Sequence, residues 1–221
     1  MIKFFFREKY TILLAALLVH VIVSPFMAET VSLGLFLDLT FSLVMLSAVF
    51  SVSRGSRVPL VASVLLMLPC LFLVWWIYIA GPLEEIRLVS FILQALFVLY
   101  ITILMGIYIL KAPEITRDVI SAAIVVYLFV SLFFANLYLI LEFTYPGSFT
   151  LAHDAILKHP EVMRYFSMVT LSTLGYGDIS PVSPQAQTMA SVEAIFGQFY
   201  LAVLIARLVS MHGMRPSDDT E

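Results

Sequence analysis

The chemistry of this chain concentrates in one polar stretch of an otherwise apolar sequence. Residues 161–184 read EVMRYFSMVTLSTLGYGDISPVSP. The stretch opens as a helix candidate over residues 162–172, about 16 Å long, or half a bilayer. It then meets Gly175-Tyr176-Gly177, Asp178, Pro181 and Pro184, residues that break helices and favour turns. The pattern predicts a half-helix that dips in from one side, followed by extended backbone climbing out again. Such backbone is tolerated at membrane depth only where it is buried in protein or lines a polar path. The groups on offer are therefore main-chain oxygens. No catalytic set presents itself: the lone Cys70 lies in an apolar run, and His20, His153, His159 and His212 lack metal-ligand spacing. No cofactor is expected. Asp38 and Glu193 are acids within apolar runs, and a structural role is expected of each.

The elements that must position this stretch follow from composition. The 221 residues are 62% hydrophobic and 12% charged, with a mean hydropathy of +1.03. Soluble domains carry about 25% charged residues, so a water-soluble enzyme and a disordered chain are both excluded. A net charge of −3 offers no basic surface for nucleic acid. Apolar runs at residues 11–28, 31–53, 58–83, 88–110, 119–141 and 185–209 predict an all-α integral membrane protein with six transmembrane helices. The first run is expected to remain as a span rather than be cleaved as a signal peptide. With both termini cytoplasmic, Lys3, Arg7, Lys9, Arg54, Arg57, Lys111, Arg117, Arg207 and Arg215 fall inside, and Arg87, Lys158 and Arg164 fall outside. That distribution obeys the positive-inside rule.

The run Thr170-Leu171-Ser172-Thr173-Leu174-Gly175-Tyr176-Gly177-Asp178 resembles the selectivity filter of the potassium-channel pore-domain family. The resemblance implies a re-entrant pore helix and filter between helices 5 and 6. It implies K+ ions held by carbonyl rings of Thr173, Leu174, Gly175 and Tyr176, with Gly177 and the mouth acid Asp178 above them. A dehydrating ion needs replacement oxygens, and stacked carbonyls supply them. Pointing successive carbonyls to one side requires alternating left-handed residues, which glycine adopts freely. Tyr165, Phe166 and Thr170 are expected to support the filter, the first two against Tyr176. Leu174 departs from the family's usual valine.

Residues 190–207 are similar to the family's inner helix, with Gly197 nineteen residues after Asp178 at the usual hinge position. Bending and close packing through small residues both account for a glycine there. Leu201, Ile205 and Leu208 share its face and are candidates for a hydrophobic gate. One filter motif per chain implies a tetrameric channel, expected as a homotetramer in the cell membrane, with lipid and K+ as its other partners. Residues 1–118 would form a peripheral bundle, 119–211 the pore domain and 212–221 a short cytoplasmic tail without a regulatory domain. Run 88–110 contains no arginine or lysine, where steep voltage gating needs about 3–4 charges per subunit. The outer acids Glu142, Asp154, Glu161 and Asp178 are expected to concentrate cations at the mouth. Two alternatives remain at this point: a non-selective cation channel of the same architecture, and a G-x-G-D intramembrane aspartyl protease using Asp38 and Asp178. Against the protease, Pro181 and Pro184 follow where a membrane helix should run.

Overall fold

The computed structural model describes residues 9–23, 32–52, 57–81 and 83–212. Among them the chain is helical, with one isolated antiparallel bridge between Phe149 and Pro181. The helices are α1 (Lys9–Val23), α2 (Ser32–Val52), α3 (Arg57–Ala80), α4 (Glu84–Lys111), α5 (Arg117–Thr144), α6 (His153–Lys158), α7 (Glu161–Leu171) and α8 (Pro184–His212). Four of them, α3, α4, α5 and α8, are long and apolar enough to cross a membrane. The described apolar parts of the first two runs, Lys9–Ile22 and Asp38–Val52, are shorter. The first expected run extends to residue 28, and residues 24–31 lie outside the described residues, as do residues 213–221 of the expected tail.

Helix α5 organises the rest. Its 28 residues span about 42 Å, and its start is capped by the Thr116 hydroxyl, which accepts from Val119 N at 3.3 Å. Two apolar clusters meet along it. One gathers Leu17, Met45, Ile101, Met105 and Phe129 from α1, α2, α4 and α5. The other gathers Tyr138, Phe149, Ile156, Met163 and Phe166 around α7. The short α6, which the sequence pattern gave no reason to expect, seals the second cluster with Ile156 and Leu157.

Polar ties fix α1 and α8 to this frame. Tyr10 N donates to Asp118 Oδ1 at 2.9 Å, and the hydroxyls of Thr11 and Ser121 lie 3.1 Å apart. Lys9 Nζ donates to the Ser51 carbonyl. Pro184 starts α8 where its missing N–H costs nothing, and the Ser183 hydroxyl accepts from Ala186 N at 3.2 Å. At the far end, Arg207 Nη2 donates to Leu110 O at 2.9 Å and Ala112 O at 3.3 Å. Carbonyls at a helix C-terminus lack intrahelical partners and carry partial negative charge, so a guanidinium is favoured there.

Asp118→Ala strips Tyr10 N of its acceptor, a change expected to cost about 1–3 kcal/mol. A lowered unfolding temperature in detergent, with helix content retained, is the expected outcome.

Candidate functional site

Helix α7 runs eleven residues and stops at Ser172. The chain does not leave freely: Ser172 N donates to Met168 O at 3.1 Å, Thr173 N to Thr170 O at 2.9 Å and Leu174 N to Val169 O at 3.0 Å. From there the backbone alternates. Thr173, Gly175 and Gly177 have φ of +59°, +59° and +79°, with ordinary residues between them. Gly175 and Gly177 meet this geometry without a Cβ penalty. Thr173 does not, and it is the one non-glycine residue with positive φ among the described residues. A left-handed threonine costs on the order of 1–2 kcal/mol and persists only where its surroundings enforce it. Its hydroxyl donates to Ser172 O at 2.7 Å and accepts from Gln198 Nε2 of α8 at 3.2 Å. Neither the left-handed Thr173 nor its partner Gln198 was legible from spacing. Beyond Gly177 the outgoing chain is pinned to the 148–150 loop, with Thr150 N donating to Ser180 O at 2.9 Å and Val182 N to Ser148 O at 2.8 Å.

Helix α7 is held from behind by buried polar groups. Glu193 of α8, fully buried, accepts from the Tyr138 hydroxyl of α5 and from Ser167 of α7. Ser167 also lies 2.8 Å from the Ser131 carbonyl. The Tyr127 hydroxyl donates to Leu171 O at 3.2 Å, satisfying a carbonyl at the end of α7. Glu193 thus has the structural role expected of it. Gly197 faces the same place: a Cβ built there would sit 2.2 Å from Leu171 O. Of the two reasons for this glycine, close approach to the pore helix is the one the geometry favours. Leu204 on that side packs inward, while Leu201 and Ile205 are exposed on the isolated chain. The side chain of Leu208 lies outside the described residues.

Two expectations need correction. Phe166 does not turn toward Tyr176: its ring packs 5.1 Å from Tyr138 and 5.3 Å from Phe149, within the apolar cluster behind α7. Tyr176 is 67% exposed on the isolated chain. Glu142 is not a mouth acid either. It is fully buried, accepting from Gly147 N at 2.7 Å, Ser148 N at 2.9 Å and His153 Nδ1 at 3.0 Å, where it orders the turn after α5.

Just beyond Gly177 the Tyr165 hydroxyl donates to Asp178 Oδ2 at 2.7 Å. This bond holds the Asp178 carboxyl below its ordinary range. Asp38 lies elsewhere, in a cavity with His20 and Arg164. The two aspartates demanded by a protease thus sit in different surroundings, Asp178 against Tyr165 and Asp38 in this cavity. No cluster of three or more potential metal-ligating side chains occurs among the described residues.

This arrangement, a half-length helix followed by left-handed alternation and backed by a long glycine-bearing helix, resembles the layout of an ion-channel pore domain. Residues 122–212 match the family model described as ion channel. Over 95 residues, 41% of the chain, it is 37% identical to the inward rectifier potassium channel Kirbac3.1 of Paramagnetospirillum magnetotacticum, covering 28% of that protein. Over 59 residues, 26% of the chain, it is 39% identical to two-pore potassium channel 5 of Arabidopsis thaliana, covering 14% of it. Two pore potassium channel c of Oryza sativa subsp. japonica is 38% identical over 66 residues, 29% of the chain and 14% of that protein. The chain spans less than a third of the length of these relatives. No solved structure matches it significantly. The resemblance to potassium-channel pore domains holds over the matched segment, and the matching family is one of ion channels, not of enzymes.

Gly197→Ala is expected to force α8 away from α7, at about 1–3 kcal/mol for overpacking, seen as a lowered unfolding temperature. Tyr165→Phe removes the bond that keeps Asp178 ionised in acid. A depressed carboxyl loses its charge only as pH falls through the lowered value, so the variant should lose that charge at higher pH than wild type. A carboxyl-resolved NMR titration of Asp178 checks the direction.

Proposed function

We propose that the chain is one subunit of a tetrameric potassium-selective channel, passing K+ through rings formed by Thr173, Leu174, Gly175 and Tyr176, with Gly177 and Asp178 at the outer mouth. The observation that carries this reading is the left-handed alternation at Thr173, Gly175 and Gly177 directly after a half-length helix. Alternation turns successive carbonyls to one side, as a dehydrated cation requires. The C-terminal end of α7 is the negative end of its dipole, which favours a cation waiting beneath the filter.

One filter strand cannot surround an ion, so four copies supply the ring. The exposed apolar residues of α8, among them Val192, Ile195, Phe199 and Val203, support this, since a helix so apolar needs lipid or neighbouring subunits around it. Six spans with both termini in the cytoplasm suit the basic-residue distribution and the cell membrane. In that arrangement residues 1–118 form the peripheral bundle and 119–211 the pore. Leu201, Ile205 and Leu208 line the inner mouth as a hydrophobic gate, and Gly197 serves packing before bending. Helix α4 carries charge only near its ends, at Glu84, Glu85, Arg87 and Lys111, which supports opening without a voltage sensor.

Reconstitution in liposomes loaded with potassium tests the reading. Wild type should release K+, and Gly177→Ala should abolish the flux, because alanine is strained at φ +79°. Unchanged flux in the variant would remove the filter assignment. Open probability should drift only weakly with voltage; an e-fold change within about 10 mV, the steepness that several gating charges give, would contradict a chain without a sensor.

A further inference from the structure

Outside the pore, a cavity opens where the peripheral helices meet α6 and α7. An outer chamber of about 490 Å³ and an inner one of about 130 Å³ share Asp38, Val74, Phe91, Gln94 and Pro160 in their walls. The outer chamber is rimmed by Glu84, Arg87, Asp154 and Lys158, residues that the proposed orientation sets on the outer face. Its volume is within the range of small-molecule sites, which are mostly apolar with a few convergent polar groups.

The polar groups that converge are unusual. Arg164, on the first turns of the pore helix, gives one N–H to His20 Nε2 at 2.6 Å. A guanidinium only donates, so His20 accepts at Nε2, and its Nδ1–H donates to Thr40 Oγ1 at 2.8 Å. His20 therefore orients the guanidinium without neutralising it. Among the described residues the other donors of Arg164 make no hydrogen bond, and the residue lines the inner chamber. The nearby Glu161 is engaged by His159 at 3.2 Å. Asp38 lines both chambers; among the described residues its carboxylate makes no hydrogen bond or ion pair, and it interacts with Arg164 only through space. Between these opposite charges stand the amides Gln94 and Asn136, and otherwise apolar walls of Phe41, Val74, Leu132 and Leu139. Both side chains are half-buried, and an occupant carrying the complementary pair of charges would give each a direct charge-assisted hydrogen bond.

We infer that this outward-opening cavity between the peripheral bundle and the pore helix binds a small zwitterion, an α-amino acid with an apolar side chain. Its carboxylate docks on the Arg164 fork, its ammonium on Asp38, and its side chain against Phe41, Val74 and Leu139. A fork suits a carboxylate because two parallel N–H bonds form at once. The inference rests on the channel reading only for its consequence: Arg164 belongs to the pore helix, so occupancy stabilises one position of that helix and shifts the open fraction.

Binding is tested on the full chain in detergent or nanodiscs, by calorimetry and thermal shift with L-leucine, L-valine and L-phenylalanine. At least one of them should bind, while isocaproate (no ammonium) and isoamylamine (no carboxylate) bind about ten- to a hundredfold more weakly, the loss that accompanies one charge-assisted bond. Asp38→Asn and Arg164→Gln should weaken binding to a similar degree. Absence of binding by all three amino acids would overturn the site, as would equal affinity for the half-charged analogues, a comparison that needs no folded variant. Binding without any potassium flux would keep the site and remove the channel reading. Flux that is unaltered by a bound amino acid would remove the coupling to the pore helix.

Discussion

Everything in the second half of this chain answers to one constraint. Backbone that leaves the helix at membrane depth finds no water, so each freed N–H and C=O must be met by protein or by a permeating ion. In the proposed channel, residues 172–177 are such a backbone. The amides of residues 172–175 are turned back onto the end of α7, at Met168, Val169 and Thr170. The Leu171 carbonyl is met by the Tyr127 hydroxyl. What is left over, in the proposed channel, is a set of carbonyls for which the cation is the partner.

Holding that geometry requires a rigid support, and the support is polar as well as apolar. Glu193 draws α5, α7 and α8 together through Tyr138 and Ser167. Gly197 lets α8 approach Leu171 closely enough for this contact to form. A buried carboxyl that accepts from two hydroxyls costs less than an unpaired one, and its demand for both partners fixes the helix positions more narrowly than side-chain packing alone. The peripheral helices are fastened to the same support at three heights: Asp118 to Tyr10, Arg207 to the end of α4, and Arg164 to His20.

Much of this was legible in the sequence. The half-length helix, the Gly175–Gly177 pair and the proline-bounded exit follow from local chemistry, because helix length and turn propensity are short-range properties. Helix bounds were close: the pore helix, expected over residues 162–172, runs Glu161–Leu171. What escaped was long-range. Gln198 meets Thr173 across 25 residues, and Arg164 meets His20 across 144; no periodicity encodes such pairs. Glu142 and Phe166 were misassigned because exposure was inferred from chain position. Both in fact point inward, the first to satisfy the amides of a turn, the second to fill an aromatic cluster. Gly197 had two readings in the sequence, and only the 2.2 Å approach to Leu171 O distinguishes them.

The filter geometry is tested most directly by a reversal potential. With potassium on one side of a bilayer and sodium on the other, carbonyl rings spaced for a dehydrated K+ predict a current that reverses far toward the potassium equilibrium value. A reversal near zero would contradict potassium selectivity and identify the pore as non-selective, with Leu174 the first residue to restore to valine.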